Sequence, residues 1–165
     1  LVKTDGKSDS FQVASDLVAV AKDLSPDMII LGRQSIDFDS FQLPSMMAEL
    51  LGWPNANMVS SLDVDGSTVK VERAIEGGRE TVELTTPCVI SAQKGLNDPR
   101  YPKLPDIMKA KSKPIEERDS VVAAARVETL SMDLPDMNRL NKILGDTDGD
   151  IDELVRMLHE DAKII

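Results

Sequence analysis

An amphipathic helix pattern that meets a Ser-Pro-Asp stop and runs straight into four apolar residues and a glycine constrains this chain more than any other feature. Phe11, Val13, Ala14, Leu17, Val18, Ala21 and Leu24 recur at helical spacing, with Ser10 placed as a cap before them. Ser25-Pro26-Asp27 ends the helix, because proline lacks an N–H and restricts the residue before it. Met28-Ile29-Ile30-Leu31 then reads as a short, fully buried strand ending at Gly32. Helix, tight turn and buried strand is the rhythm of a parallel α/β sheet. Open sheets of that kind bind ligands at the carboxyl ends of their strands, which singles out the loop from Gly32 to Leu43.

Further along, Leu43 to Leu51 predicts a second helix, ended by Gly52, with Trp53-Pro54 anchoring its exit. Val59 to Val64 and Val69 to Ile75 flank Asp65-Gly66, and Glu76-Gly77-Gly78 precedes Glu80 to Leu84, so two tight turns join alternating strands. No helix pattern follows Gly77-Gly78, which therefore serves a turn rather than a phosphate cradle. Val89 to Ala92 is another buried strand. Beyond Pro114 the pattern loosens: an apolar stretch, Val121 to Ala125, and a strand-like patch, Val127 to Leu130, sit among charges and need another surface to pack on. Helical periodicity returns at Ile151, Leu154, Val155 and Leu158, with Asp150 as N-cap and Glu153 as its capping-box partner. The fold class is thus α/β: a parallel-sheet domain with inserted β-hairpins over residues 1–114, then an extended arm plus helix over 115–165.

Composition removes several functions. A net charge of -10 disfavours nonspecific binding to nucleic acid or anionic membranes, and no apolar run approaches the ~20 residues of a membrane span. One cysteine and one histidine cannot build a Cys/His zinc cluster. Cys88, inside Pro87-Cys88-Val89-Ile90, reads as a buried structural thiol, and His159 as a surface residue. The eight methionines read as structural residues rather than ligands. Asp146-Thr147-Asp148-Gly149-Asp150 imitates a calcium loop, but its glycine falls too early and Met157 stands where a bidentate Glu belongs, which leaves turn and cap roles.

The segment from Asn97 to Lys113, NDPRYPKLPDIMKAKSK, reverses the acidic character around it through Arg100, Lys103, Lys109, Lys111 and Lys113. Pro99, Pro102 and Pro105 fix three φ angles and remove three donors, which predicts a stiff extended loop. After Pro105, Leu104, Ile107 and Met108 share one face of a short helix, with lysines toward its C-terminal end where the dipole favours cations. Taken alone, the segment is either a solvated connector or a docking loop.

That string resembles the signature segment of the electron transfer flavoprotein beta subunit family, close to N-E-P-R-Y-x-x-L-P-N-I-M-K-A-K-K-K. Leu31-Gly32-Arg33-Gln34-Ser35-Ile36-Asp37-Phe38-Asp39 is similar to the family's L-G-K/R-Q-A-I-D-x-D, and Leu51-Gly52-Trp53-Pro54 and Val71-Glu72-Arg73 through Glu76-Gly77-Gly78 fall in family order. The resemblance implies a Rossmann-like, adenine-nucleotide-binding domain and a heterodimer with an alpha subunit that holds most of the redox FAD. It implies AMP, or a second FAD in electron-bifurcating members, in a site made by Gly32, Arg33, Gln34, Ser35, Ile36, Asp37, Asp39, Ser40 and Gln42. It implies a loop recognising acyl-CoA or other flavin dehydrogenases, made by Arg100, Tyr101, Pro102, Lys103, Leu104, Pro105, Ile107, Met108 and Lys109, with Leu104 as anchor. The arm would pack on the alpha subunit, and the chain would be an electron carrier without substrate chemistry, in the bacterial cytoplasm or the mitochondrial matrix. A rival reading is a nucleotide-binding regulatory domain with no redox partner, which leaves NDPRYPKLPDIMKAKSK without a purpose.

The chain departs from the pattern where phosphate is expected. Members continue with small residues and Q-T/V-G, whereas Ser40-Phe41-Gln42-Leu43-Pro44 stands here, and Phe38 replaces a common Asp or Gly. Members also carry further chain ahead of the point matching Leu1, including a first strand and its nucleotide-facing loop. Weak nucleotide binding by these residues alone is the expectation.

Overall fold

The computed structural model describes residues 1–4, 6, 8–121, 125–135 and 141–165. They form two compact units, Leu1–Glu128 and Thr129–Ile165.

In the first unit, β1 (Val2–Lys3) precedes α1 (Ser10–Leu24), β2 (Met28–Gly32) and α2 (Leu43–Leu51). The long β3 (Asn55–Asp65), β4 (Thr68–Ile75) and β5 (Gly78–Thr85) form an antiparallel meander, and β6 (Cys88–Ala92), α3 (Leu104–Ala110) and β7 (Arg118–Asp119) follow. The five-stranded sheet has the order β2-β6-β3-β4-β5. β2, β6 and β3 run parallel, β3, β4 and β5 antiparallel, which confirms the mixed α/β class with a partly parallel sheet. β3 belongs to both regimes. Its start pairs with β6, from Asn55↔Val89, and its end with β4, to Asp65↔Thr68. The register shifts on both sides of Val59, and Met58 is left-handed at φ 61°.

Two apolar cores hold this unit. Ala56, Val59, Val69, Val71, Cys88 and Ile90 bury one, because alternate residues of β3, β4 and β6 share a face. Ala14, Val18 and Met47 bury the other, joining α1 and α2 to Ile29 and Leu31 of β2. Helices therefore cover one face of β2. As the sheet's edge strand it is not fully buried: Ile30, on the other face, is 55% exposed. The helix start also differs from the sequence expectation. Asp9, not Ser10, is the N-cap, its side chain accepting from Gln12 N at 2.8 Å. Ser10 Oγ instead meets Ser40 and Gln42.

After Pro114 the chain returns to α1. β7 pairs parallel with β1, Arg118 pairs with Asp23 and Glu116, and Val121 N donates to Asp16 Oδ1 at 2.8 Å. Of the stretch Val121 to Ala125, residues 122–124 lie outside the described residues. Val127 to Leu130 forms no strand and its side chains are exposed, since no neighbouring strand accepts its backbone.

The second unit contains α4 (Asp148–Arg156), continued by a π-helical turn, Met157–Asp161. Thr147 is its N-cap and Asp150 the reciprocal partner, which corrects the assignment of Asp150 as cap and Glu153 as its partner. Glu153 binds Arg156 and Lys142 instead, and the Arg156 and Lys142 hydrogen bonds pull its carboxyl down to about 2. His159 is exposed, with Nδ1 2.8 Å from the Ile165 carbonyl.

Candidate functional site

The loop after β2 starts from ordinary strand geometry. Gly32 ends β2 with no left-handed φ, and a Cβ there would meet nothing within 4 Å, so its glycine is not required by a turn. Arg33 continues toward β6: its N–H donates to the Ala92 carbonyl at 3.1 Å and Nη1 to Gln93 Oε1 at 3.3 Å. Two hydrogen bonds then close a small loop, Ser35 N to Ser40 O at 2.9 Å and Ser40 N to Ser35 Oγ at 3.3 Å. Inside it Asp39 is left-handed at φ 55° and accepts from Gln34 Nε2. The same closure leaves Ile36 and Asp37 exposed, with Ile36 97% exposed.

Two cavities flank Arg33. The smaller, about 190 Å³, is lined by Gly32, Arg33, Ser35, Phe38, Ser40, Leu43 and Pro44, with Ser10 and Val13 brought in from α1, so the Phe38 that replaces a common Asp or Gly borders it. The larger, about 410 Å³, is lined by Arg33, Phe41, Gln42, Ser45, Asn57, Met58 and Ser91. α2 begins between them at Gln42 without a side-chain cap, and Pro44 in its first turn carries no N–H. Five of the nine residues named from sequence, Gly32, Arg33, Ser35, Ser40 and Gln42, thus border a cavity, whereas Gln34, Ile36, Asp37 and Asp39 border neither. Gln34 and Asp39 are engaged with each other.

The sequence reading did not find Ser10, Asn57, Met58 or Ser91. Ser91 carried a usable signal, since a polar residue ending the apolar run Cys88-Val89-Ile90 needs a reason, and it is 1% exposed. Asn57 is the less expected member: Nδ2 donates to Ser45 Oγ at 2.8 Å, while Oδ1 is buried with no hydrogen-bond partner among the described residues. An orphaned acceptor of that kind costs about 1–3 kcal/mol.

The basic segment takes the form its prolines predict. No regular element forms from Asn97 to Lys103, and α3 then starts with Pro105 in its first turn, Asp106 N and Ile107 N donating to Lys103 O at 2.9 and 3.1 Å. Leu96 packs against the sheet core and anchors the entry. Nothing in α3 is buried: Leu104 is 72%, Ile107 43% and Met108 58% exposed, and Tyr101 stands 89% exposed ahead of them. Arg100, Pro102, Lys103, Pro105 and Lys109 are exposed around this patch.

A third feature was invisible in the sequence. Asp9 and Asp16, two turns apart on the α1 side, hold Ser120, Val121, Arg126 and Val127 against the helix as a strap. Ser120 Oγ reaches the Asp16 carboxylate at 2.9 and 3.0 Å, and Arg126 N and Val127 N donate to Asp9 Oδ2 at 2.7 and 2.9 Å. The Arg126 guanidinium lies 3.5 Å from the centroid of the Phe11 ring. The Gln12 amide, followed by those of Arg126 and Val127, holds the Asp9 carboxyl below its ordinary 3.8, against an opposing effect of burial. A folded value below the unfolded one contributes stability that is present above 3.8 and lost as pH falls through the folded value. An NMR titration should therefore place Asp9 below 3.8, with the Arg126 and Val127 amides losing exchange protection over the same acid range; an inflection at or above 3.8 would contradict the strap.

Burial pushes the Cys88 thiol up, as befits a core residue. Among the described residues no group of three or more His, Cys, Asp or Glu converges as a metal site, and no helix is long and apolar enough to cross a membrane.

Comparison with known proteins agrees with these elements. The electron transfer flavoprotein domain model matches residues 2–123. The electron transfer flavoprotein subunit beta of Bradyrhizobium diazoefficiens is 41% identical over 169 residues, covering 100% of this chain and 66% of the relative. The subunit beta of Bacillus subtilis is 36% identical over 165 residues, covering 95% and 64%. That of Mus musculus is 48% identical over 105 residues, covering 64% of this chain and 41% of the relative. The chain spans just under two thirds of the length of the two bacterial relatives. A domain match that takes in the whole sheet, the loop after β2 and the basic segment makes this chain a member of the electron transfer flavoprotein family, among relatives that are its beta subunits.

Proposed function

We propose that the chain acts within the beta subunit of a heterodimeric electron carrier that takes electrons from flavin dehydrogenases such as acyl-CoA dehydrogenases. The observation that carries this is the apolar face of α3, Leu104, Ile107 and Met108, left exposed in a basic, proline-stiffened segment. A stiff loop loses little entropy on docking, and its charges steer encounter with an acidic surface, which suits fast and transient association. The role is carriage, with no bond made or broken on a substrate by this chain. FAD, held mainly by the alpha subunit, supplies the redox chemistry when bound, and this chain covers it and aligns the partner.

An adenine nucleotide, AMP in this reading, has a structural part only. The residues present fit its phosphate in chemistry: Arg33 is a cation beside both cavities, and the N-terminus of α2 is closed off by no capping side chain. Ser35, Ser40 and Gln42 supply further polar groups, while Pro44 withholds one amide. Residues 115–165 form the arm toward the alpha subunit. Leu130, Leu134 and Ile143, 90%, 96% and 96% exposed, support that part. The carrier would work in the cytoplasm of a bacterium or the mitochondrial matrix of a eukaryote.

The test is Leu104→Ala in the full-length heterodimer. Its side chain is 72% exposed, so thermal unfolding and flavin content stay unchanged, whereas dehydrogenase-to-carrier electron transfer should fall roughly thirtyfold, as for an interface anchor. Equal transfer rates in mutant and wild type would remove the docking role.

A further inference from the structure

Aspartates stand at positions 9, 16 and 23, seven apart, from the N-cap of α1 to its last turn. Seven residues make nearly two turns, so side chains at that spacing share one helix face, about 10 Å apart and drifting only ~20° per step. The returning chain follows that face against the direction of the helix. Arg118 meets Asp23, Ser120 and Val121 meet Asp16, and Arg126 and Val127 meet Asp9. The strap therefore hangs on three rungs, each a carboxylate matched to donors of the same segment.

The rungs are unequal. Buried Asp16 takes the Ser120 hydroxyl and the Val121 amide, and Gln12 Nε2 adds a bond to Ser120 Oγ at 3.3 Å. At the Asp23 rung, Arg118 is tied to Glu116 as well and lies in the β1–β7 pair. The Asp9 rung has only two exposed backbone amides and the stacking of Arg126 on Phe11. Asp9 also divides its oxygens: Oδ1 caps the helix at Gln12 N, and Oδ2 alone receives Arg126 and Val127. This rung can open with the helix cap intact and the other two closed.

Opening there reaches the loop after β2. Ser10, the next residue, holds that loop through Gln42 Nε2 at 3.0 Å and Ser40 Oγ at 3.4 Å. Phe38 and Gln42 of the loop face Arg126 and Val127 of the strap across one cavity of about 390 Å³, with Asp9 and Ser10 in its wall. We propose that the Asp9 rung is a release point: when Arg126 and Val127 lift from it while the Asp16 and Asp23 rungs stay closed, the Ser10 contacts slacken and the loop loses order. The loop after β2 thus follows the state of the arm. This goes beyond the function proposed above and holds whatever engages residues 129–165.

Residue-resolved hydrogen exchange on the full-length protein with its partner subunit tests this. In the wild type, the Arg126 and Val127 amides should exchange faster than that of Val121. Asp9→Ser keeps a hydroxyl cap for Gln12 and removes Oδ2. It should speed exchange about tenfold at Arg126 and Val127 and about threefold at Ser35 and Ser40, the amides that close the loop, while Val121 keeps its wild-type rate. Ser10→Ala cuts the link from the other side, speeding Ser35 and Ser40 with Arg126 and Val127 unchanged. In the double variant the gain at Ser35 and Ser40 should fall short of the product of the two single gains, because both act through Ser10. Wild-type rates at Ser35 and Ser40 in Asp9→Ser, or a full product in the double variant, overturn the coupling. Unchanged Arg126 and Val127 amides, or a Val121 amide freed as much as theirs, overturn the release point. The wild-type order of rates and Ser10→Ala keep the test decisive if Asp9→Ser does not fold.

Discussion

Replacing Ile90 by alanine is expected to lower the unfolding free energy by about 2–5 kcal/mol. Ile90 lies in β6, paired with Ile30 of β2 on one side and Ala56 of β3 on the other, and is 0% exposed in the core with Val59, Val71 and Cys88. Truncation there leaves a cavity that a sheet held from both sides cannot close. Urea unfolding should show a lower midpoint with an unchanged slope. Ile30→Ala is the control. Its side chain occupies the adjacent register position but is 55% exposed, so its loss should stay below about 1 kcal/mol. Equal losses would mean that β2 is not the edge of this sheet.

The second large effect belongs to Asp16. It is 5% exposed, and its carboxylate takes the Ser120 hydroxyl and the Val121 amide. Asp16→Ala removes hydrogen bonds to a charged acceptor, each worth about 1.5–3 kcal/mol, so a total loss near 3 kcal/mol is expected. The loss has a location. Hydrogen exchange should accelerate at Val121 and, through the shared strap, at Arg126 and Val127, while Val89 and Ile90 keep their protection. Uniform acceleration across the sheet would show that Asp16 supports the fold globally and not the strap.

Much of this fold is written in local pattern. α2 spans Leu43–Leu51 as its apolar spacing and Gly52 imply, and the turns at Asp65-Gly66 and Gly77 fall where strand alternation breaks, because both signals are complete within a few residues. What pattern could not reveal depends on partners far along the chain. Asp9 outcompetes Ser10 as cap with the additional partners Arg126 and Val127, 117 and 118 positions away. Asp16 lies outside the apolar positions that define the helix pattern, and only Ser120, 104 positions on, gives its burial a reason. Met28 to Leu31 reads as fully buried because apolar content says nothing of strand order, and an edge position left Ile30 open. At the candidate site, the loop itself was legible through its resemblance to a known motif. Its far wall was not: Asn57 comes from a strand whose neighbours only the topology defines, and Ser91, though marked as a polar residue ending an apolar run, is assigned to this cavity only by the strand order.

The order β2-β6-β3 has a consequence during synthesis. β6 is the last of the five strands made, yet its place is between β2 and β3. A chain emerging from the ribosome can complete the β3-β4-β5 meander early, but the neighbours of β6 must wait for Cys88–Ala92. At about 5–20 residues per second that wait lasts a few seconds, with apolar strand edges unpaired on both sides of the gap. Chaperone capture of nascent chains should be greatest there, after β3 has emerged and before β6 closes the sheet.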